Sequence, residues 1–320
     1  MIALSGVTKR YDSHTAVDAV SFTVREGETL VLLGTSGCGK TTTLRMINRL
    51  TLPDEGTITI NGTPVQDTPP ELLRRKIGYV MQQNGLFPHY TVAENIGVVP
   101  SLLQWPAEQI RARALGLMEQ LHLPAGSFAH KYPHQLSGGQ QQRVGLARAL
   151  AGNAPVLLMD EPFGALDPVT RALVRKDFMD LEETSKKTIV MVTHDVAEAF
   201  EMGDRICLMN KGRVEQTGTP AALLFSPATP FVQSFFAAHR TLLELTVVTL
   251  RDLWPWLPVP LQTLVMDTVL PAATSCWQAL QQVTGEQEMV GVQYQGQLKI
   301  VSRQNLLGAF SDYKASQPSN

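Results

Sequence analysis

Apolar and polar positions alternate or repeat along the first two thirds of the chain in a way that predicts most of its elements. Apolar residues at 2–4, an alternating stretch over 17–24 and an apolar run over 29–33 predict strands, with a turn at Glu26, Gly27 and Glu28. A helical period over 42–50 stops before Pro53. Asp54, Glu55 and Gly56 then turn into a strand over 57–60 that closes on the hairpin pair Asn61 and Gly62. Residues 71–76 read as a short charged helix and 77–81 as a buried strand with Gln82 just past its end. After a break at Phe87, Pro88 and His89 the character is helical over 92–121, with Ile110, Ala114, Leu117, Met118 and Leu121 on one face. Pro124 and Gly126 close that segment. A helix over 141–150, an apolar strand over 156–159, a helix over 168–185 and a strand over 188–192 follow. A hairpin turning at Lys211 and Gly212 comes last. Strand and helix in alternation behind a β-rich start predict an α/β fold: a parallel core sheet with helices on both faces, a β-rich N-terminal subdomain and a helical insert over about 88–150. Beyond Phe236 charges thin out and Pro255, Pro258 and Pro260 cluster, so a boundary is expected within 238–246.

Between the strand 29–33 and its helix stand Gly34, Thr35, Ser36, Gly37, Cys38, Gly39, Lys40 and Thr41, with Thr42 next. Glycines there let successive N–H groups curl inward into an anion-binding nest, and the helix N-terminus adds to the field. Lys40 is placed to reach β- and γ-phosphates, and the Thr41 hydroxyl to ligate Mg²⁺. The plain alternative is a glycine-rich turn with a stray lysine, which the flanking strand and helix disfavour. A second glycine run, Leu136, Ser137, Gly138, Gly139 and Gln140, opens the helix at 141 and makes another anion-binding N-terminus. Asp160 and Glu161, ending an apolar strand, are either acids capping a turn or a working pair. In the second reading Asp160 joins Thr41 on Mg²⁺, and Glu161 orients or deprotonates the attacking water. His194, past another strand end, is either structural or a hydrogen-bonding group for the γ-phosphate. Gln82 shares that sheet edge. Tyr11, among polar neighbours, is either a half-buried surface tyrosine or a stacking platform for a base.

Composition narrows the setting. The 320 residues carry a formal net charge of −2 with no basic tail or acidic run, which argues against a nucleic-acid partner. The start of the chain lacks the pattern of a signal peptide, and no apolar segment approaches the length of a membrane span. Cys38, Cys207 and Cys276 are odd in number and widely spaced, which fits a reducing compartment rather than disulfides or a zinc site. A cytosolic chain is expected, reaching a membrane only through a partner.

Residues 34–41, Gln82, 136–140, 156–161, Ala165, Leu166, Asp167 and His194 occur in the order of the ATP-binding cassette ATPases, which the chain resembles from Met1 to about Phe236. Leu-Ser-Gly-Gly-Gln separates that family from other phosphate-loop proteins. The resemblance implies a 1–238 nucleotide-binding domain that pairs head to tail with a second copy. Each ATP would lie between residues 34–42 of one copy and Ser137, Gly138, Gly139 and Gln140 of the other. It implies adenine stacking on Tyr11, Mg²⁺ sensing by Gln82 and a place for Asp167 at the dimer seam. Many relatives have serine where this chain has Ala165. The runs 34–50, 85–89 and 131–135 are similar to those of osmoprotectant importers for glycine betaine, choline or carnitine. The tail, 239–320, resembles a linker and one degenerate α+β module of cystathionine-β-synthase (CBS) type over 274–310, with Asn305 where an aspartate often stands. The implied partners are transmembrane permease subunits and, through them, an extracytoplasmic solute-binding protein, at the cytoplasmic face of the plasma membrane. An importer for amino acids, polyamines or another small solute is the alternative. A cassette ATPase of DNA repair or translation fits less well, because such chains carry two cassettes or a long coiled-coil insert.

Overall fold

A computed structural model describes residues 1–12, 14–82, 85–164, 166–181, 184–258, 266, 268–283 and 288–317. The chain forms two compact units, Met1–Thr217 and Gly218–Asn320.

The first unit holds strands β1 (Ile2–Tyr11), β2 (His14–Val24), β3 (Thr29–Gly34), β4 (Glu55–Ile60), β5 (Thr63–Pro64), β6 (Ile77–Val80), β7 (Val156–Asp160), β8 (Thr188–Thr193), β9 (Arg205–Asn210) and β10 (Arg213–Gly218). They make two sheets, ordered β2-β1-β4-β5 and β10-β9-β3-β8-β7-β6. The first is antiparallel along β1, and alternating burial in β2 places one face on the core. In the second, β9, β3, β8, β7 and β6 run parallel. Every residue of β7 and β8 is buried, as expected of strands covered on both faces. The helix Lys40–Ile47 joins the sheets: Leu44, Met46 and Ile47 share one apolar cluster with Ile2, Val17 and Ile58 of the first sheet and Leu32, Leu158 and Val190 of the second.

Several elements differ from the sequence expectation in extent. β1 and β2 are longer than the apolar runs suggested, because antiparallel pairing continues to Tyr11 opposite His14. The first helix starts at Lys40, not at residue 42, and ends at Ile47. It ends early because Arg49 turns to φ 50° while Leu50 N donates to Arg45 O at 2.8 Å and Arg49 N to Met46 O at 3.0 Å, the bonding of a Schellman cap. The helical region 92–121 is two helices, Val92–Leu102 and Ala107–Gln120, separated where Gln104 takes φ 60° and Pro106 begins the next turn. They pack with the helix Gly138–Ala151. The helix expected over 168–185 is Pro168–Asp180, followed by a 3-10 turn at Thr184–Lys186.

In the second unit the helices Pro220–Phe225, Pro230–Phe236, Arg240–Val247 and Leu250–Leu253 precede β11 (Val269–Pro271), the helix Cys276–Gln282, β12 (Met289–Tyr294), β13 (Gln297–Ser302) and the helix Arg303–Ser316. β11 is parallel and β13 antiparallel to the central β12. Glu244, fully buried, accepts from Arg240 at 2.7 Å and Lys314 at 2.6 Å and so pins the last helix to the rest of the unit. The span 238–246 falls within this unit. Arg240 Nη2 reaches back to Leu224 O at 2.9 Å, so the helices after Gly218 pack here even though the composition shifts only after Phe236. Pro260 lies outside the described residues. The three cysteines are free and buried, and burial pushes the Cys207 and Cys276 thiols up to about 12. Among the described residues no helix is long and apolar enough to cross a membrane.

Candidate functional site

The loop between β3 and its helix is held open by backbone geometry that side chains cannot adopt. Gly34 has φ 151° and Gly39 φ 99°, and a Cβ at either would strike a carbonyl, of Met209 and of Ala16 respectively. Lys40, on the first turn and 5% exposed, folds back into the loop. Its Nζ donates to Gly34 O at 2.8 Å and Thr35 O at 2.9 Å and lies 3.7 Å from Cys38 Sγ. A buried ammonium in a glycine-rich loop at a helix N-terminus is a site for a multiply charged anion. Thr35, Ser36 and Gly37 face solvent, while Cys38, Gly39 and Thr43 are buried, and Thr43 Oγ1 ties the helix back to Gly39 O at 2.9 Å.

Thr41 Oγ1 donates to Asp160 Oδ1 at 2.8 Å. Asp160 is 2% exposed. Burial pushes its carboxyl above the usual range, against the Thr41 hydrogen bond and the charges of Arg45 and Lys40. Hydroxyl and carboxylate together form a hard oxygen pair of the kind Mg²⁺ takes. Among the described residues no group of three or more His, Cys, Asp and Glu could hold a metal, so a cation here would draw further ligands from phosphate and water.

Glu161 follows at φ 46°, a conformation that turns its side chain out of the strand direction. Its Oε2 accepts from Gln82 Nε2 at 3.2 Å and its Oε1 lies 3.1 Å from His194 Nδ1. Three residues past the ends of β6, β7 and β8 thus converge, because those strands are neighbours in register: Val80 opposite Met159, and Asp160 opposite Val192. A carboxylate flanked by an amide and an imidazole is equipped to accept a proton from a water and hold that water's direction.

Other expected residues lie elsewhere. Ser137 is the N-cap of Gly138–Ala151, not a residue ahead of a helix starting at 141. Its Oγ accepts from Gln140 N at 3.3 Å, and Gln140 Oε1 accepts from Ser137 N at 3.0 Å. The Ser-Gly-Gly-Gln run is therefore a capping box, which fixes an exposed Gly138 and half-buried Gly139 and Gln140 as the first turn of a long helix. Among the described residues no hydrogen bond joins this turn to residues 34–42; Gly139 lies against Leu166 and Thr170. Asp167 caps Pro168–Asp180, its Oδ1 accepting from Val169 N and Thr170 N, both at 3.1 Å; a hydrogen bond from the Thr170 side chain, helped by these backbone bonds, holds its carboxyl below the usual range. Ala165 lies outside the described residues. Tyr11 sits at the strand end, 47% exposed, with Lys9 Nζ 5.4 Å from its ring centre. Ala16, on the strand paired with it, touches the phosphate loop at Gly39.

One residue has an importance that sequence reasoning missed. Asn95 is fully buried in the helix Val92–Leu102 and bonds the backbone of Phe87, Tyr90 and Thr91, shaping the loop after the Phe87 break. A polar residue on the buried face between Val92 and Ile96 was the available signal. Beside this loop a largely apolar cavity of about 490 Å³ is lined by Tyr79, Met81, Phe87, Val98, Val99 and Leu102, among others.

A parallel sheet with a phosphate loop after one strand and an acid pair after its neighbour but one defines a phosphate-loop nucleoside triphosphatase. Residues 17–164 match the ABC transporter family. The chain is 50% identical over 257 residues to the osmoprotectant import ATP-binding protein OsmV of Salmonella typhimurium, covering 79% of this chain and 67% of that protein. It is 48% identical over 241 residues to the choline transport ATP-binding protein OpuBA of Bacillus subtilis, covering 75% and 63%. Over 241 residues it is 46% identical to the sulfate/thiosulfate import ATP-binding protein CysA of Mycobacterium tuberculosis, covering 75% and 68%. A solved dimeric ATP-binding cassette in a post-hydrolysis state with ADP and Pi superposes with TM-score 0.63 at 38% identity, covering 68% of this chain and 98% of that one. The chain belongs to the ABC transporter family, as one of its ATP-binding proteins.

Proposed function

We propose that this chain is the ATP-hydrolysing subunit of an importer for a compatible solute such as glycine betaine, choline or carnitine. The chemical part rests on one arrangement: a Glu161 carboxylate held between Gln82 and His194, next to an Asp160 that bonds Thr41. In this reading residues 34–42 bind the phosphates of ATP and Tyr11 stacks on adenine. Thr41 and Asp160 would hold Mg²⁺, and Gln82 would sense it. When bound, Mg²⁺ supplies charge neutralisation along the phosphate chain. Glu161 accepts the proton of the attacking water, and His194 holds the carboxylate's direction and meets the γ-phosphate. The capping box delivers Ser137, Gly138, Gly139 and Gln140 to the ATP of a second copy, with Asp167 at the seam. ATP then closes the dimer and hydrolysis opens it.

The solute reading rests on the osmoprotectant and choline relatives, of which the chain spans about two thirds. The 46% identity to a sulfate/thiosulfate import protein favours a second reading, an importer for another small solute, because ATP-binding proteins this similar are named for different solutes. Permease subunits, an extracytoplasmic solute-binding protein and a place at the cytoplasmic membrane face complete the proposal. A 1–238 nucleotide-binding domain and a 239–320 tail with one CBS-type module are its domain reading, supported in the tail by the order strand, helix, two strands, helix.

The test has two arms. Glu161→Gln should keep ATP binding, lose most turnover and accumulate a nucleotide-bound dimer on size exclusion; turnover at the parental rate would remove Glu161 from its role. Radiolabelled glycine betaine uptake by the reconstituted transporter should depend on this chain, and uptake of sulfate instead would overturn the solute reading.

A further inference from the structure

Asp54 precedes β4 and is bonded to three consecutive residues of β1. Its backbone N donates to Thr8 O at 2.9 Å, its Oδ1 accepts from Lys9 Nζ at 2.9 Å, and its Oδ2 accepts from Arg10 N at 2.6 Å. Glu55, the next residue, takes Arg10 Nη1 at 2.7 Å. These bonds fall where the ladders slip. The pairing of β1 with β2 shifts register between Val7 and Lys9 and again between Lys9 and Arg10, and that with β4 jumps from Ser5 to Thr8. A bulge frees backbone groups and re-aims the residues beyond it. Asp54 takes the freed Arg10 N–H and thereby sets the direction in which the strand leaves the bulge. The next residue is Tyr11. The same carboxylate holds Lys9, whose ammonium lies 5.4 Å from the Tyr11 ring centre.

We propose that Asp54 is a positioning residue for nucleobase binding: it clamps residues 8–10 so that Tyr11 presents its ring to the adenine, without touching the phosphates. The proposal rests on the reading of Tyr11 as the stacking platform. An exposed ion pair that merely joined two surface strands would contribute little to stability and nothing to ligand affinity. Nucleotide affinity therefore separates the two roles.

The experiment is calorimetric titration of the full chain with ADP, which carries the base and is not hydrolysed as ATP is, and with pyrophosphate, which lacks the base. Tyr11→Ala should weaken ADP about ten-fold, the loss of one base–aromatic stack. Asp54→Ala should weaken ADP about five-fold through misdirection of that ring, with pyrophosphate affinity unchanged. Asp54→Asn, which retains an acceptor for Arg10 N but not the charge for Lys9, should fall between. In the Tyr11→Ala background Asp54→Ala should add nothing. If Tyr11→Ala leaves ADP affinity unaltered, the stacking reading fails and takes this proposal with it. If Tyr11→Ala weakens ADP but Asp54→Ala does not, or weakens ADP and pyrophosphate alike, Asp54 is not a positioning residue and Tyr11 keeps its role. An additive double variant would equally overturn the clamp.

Discussion

Replacing Asn95 by alanine should loosen the loop at residues 87–91 while leaving nucleotide binding intact. The amide is fully buried. It accepts from Phe87 N at 2.8 Å and donates to Phe87 O at 3.1 Å, Tyr90 O at 3.0 Å and Thr91 O at 3.0 Å. Two of these groups keep another partner in the variant: Thr91 O retains Asn95 N at 2.9 Å, and Phe87 O retains Tyr90 N at 3.1 Å. Phe87 N and Tyr90 O lose theirs. At about 1–3 kcal/mol for each polar group left unsatisfied, moderated by water entering the loop, the expected loss is about 2–4 kcal/mol. For a unit of this size that lowers the melting midpoint by roughly 5–15 °C if the loop unfolds with the rest. If the loop opens locally instead, the loss is read as faster amide exchange at Phe87 with an unchanged midpoint. Urea unfolding and hydrogen exchange together measure both routes. ADP affinity should stay at the parental value, because none of these bonds reaches the phosphate loop. A loss under about 0.5 kcal/mol with Phe87 exchange unaltered would refute the argument that Asn95 holds the loop.

Two further outcomes are expected. Glu198 is 2% exposed, and burial, with the like charge of Asp195, raises its pKa against the Thr193 hydrogen bond at 2.6 Å and the charges of Arg171 and Arg175. The folded state therefore binds this proton more readily than the unfolded one. The Glu198 contribution is most favourable below the ordinary glutamate range and is lost as pH climbs through the raised value. Glu198→Gln should gain stability relative to the parent across that climb, read from urea midpoints at several pH values; parallel curves for the two proteins would refute it. In the tail, Asn305 Oδ1 is taken by Ser302 N at 3.0 Å and Ser302 Oγ at 2.9 Å, a capping box in place of a ribose ligand. Lys40→Ala in the full chain should then abolish all nucleotide binding by calorimetry, and any tight residual site for ATP, AMP or a cyclic dinucleotide would locate a sensor in the tail.

The parts of this protein that sequence alone determined are those whose physics is local. A glycine nest between an apolar strand and a helix is a matter of a few consecutive torsions, so residues 34–41 were legible as a phosphate loop before any fold was known. The same holds for the burial of residues 156–159 in β7 and 189–192 in β8, written as apolar runs. Extents were less legible. The helical pattern after Leu136 reads from 141, whereas the reciprocal bonds of Ser137 and Gln140 outweigh the helix cost of two glycines and start the helix at Gly138. Where several strands meet was not written in any one stretch. Gln82, Glu161 and His194 are 79 and 33 positions apart, and only the order β6, β7, β8 and its register set their side chains within 3.2 Å and 3.1 Å. Asn95 and Asp54 belong to the same class. Each is a polar residue whose neighbours in sequence say little, and whose partners were chosen by a loop or a bulge that exists only once helices and strands have packed. Periodicity reports which face of an element is buried; register and packing decide what that face, and the residues past its ends, will touch.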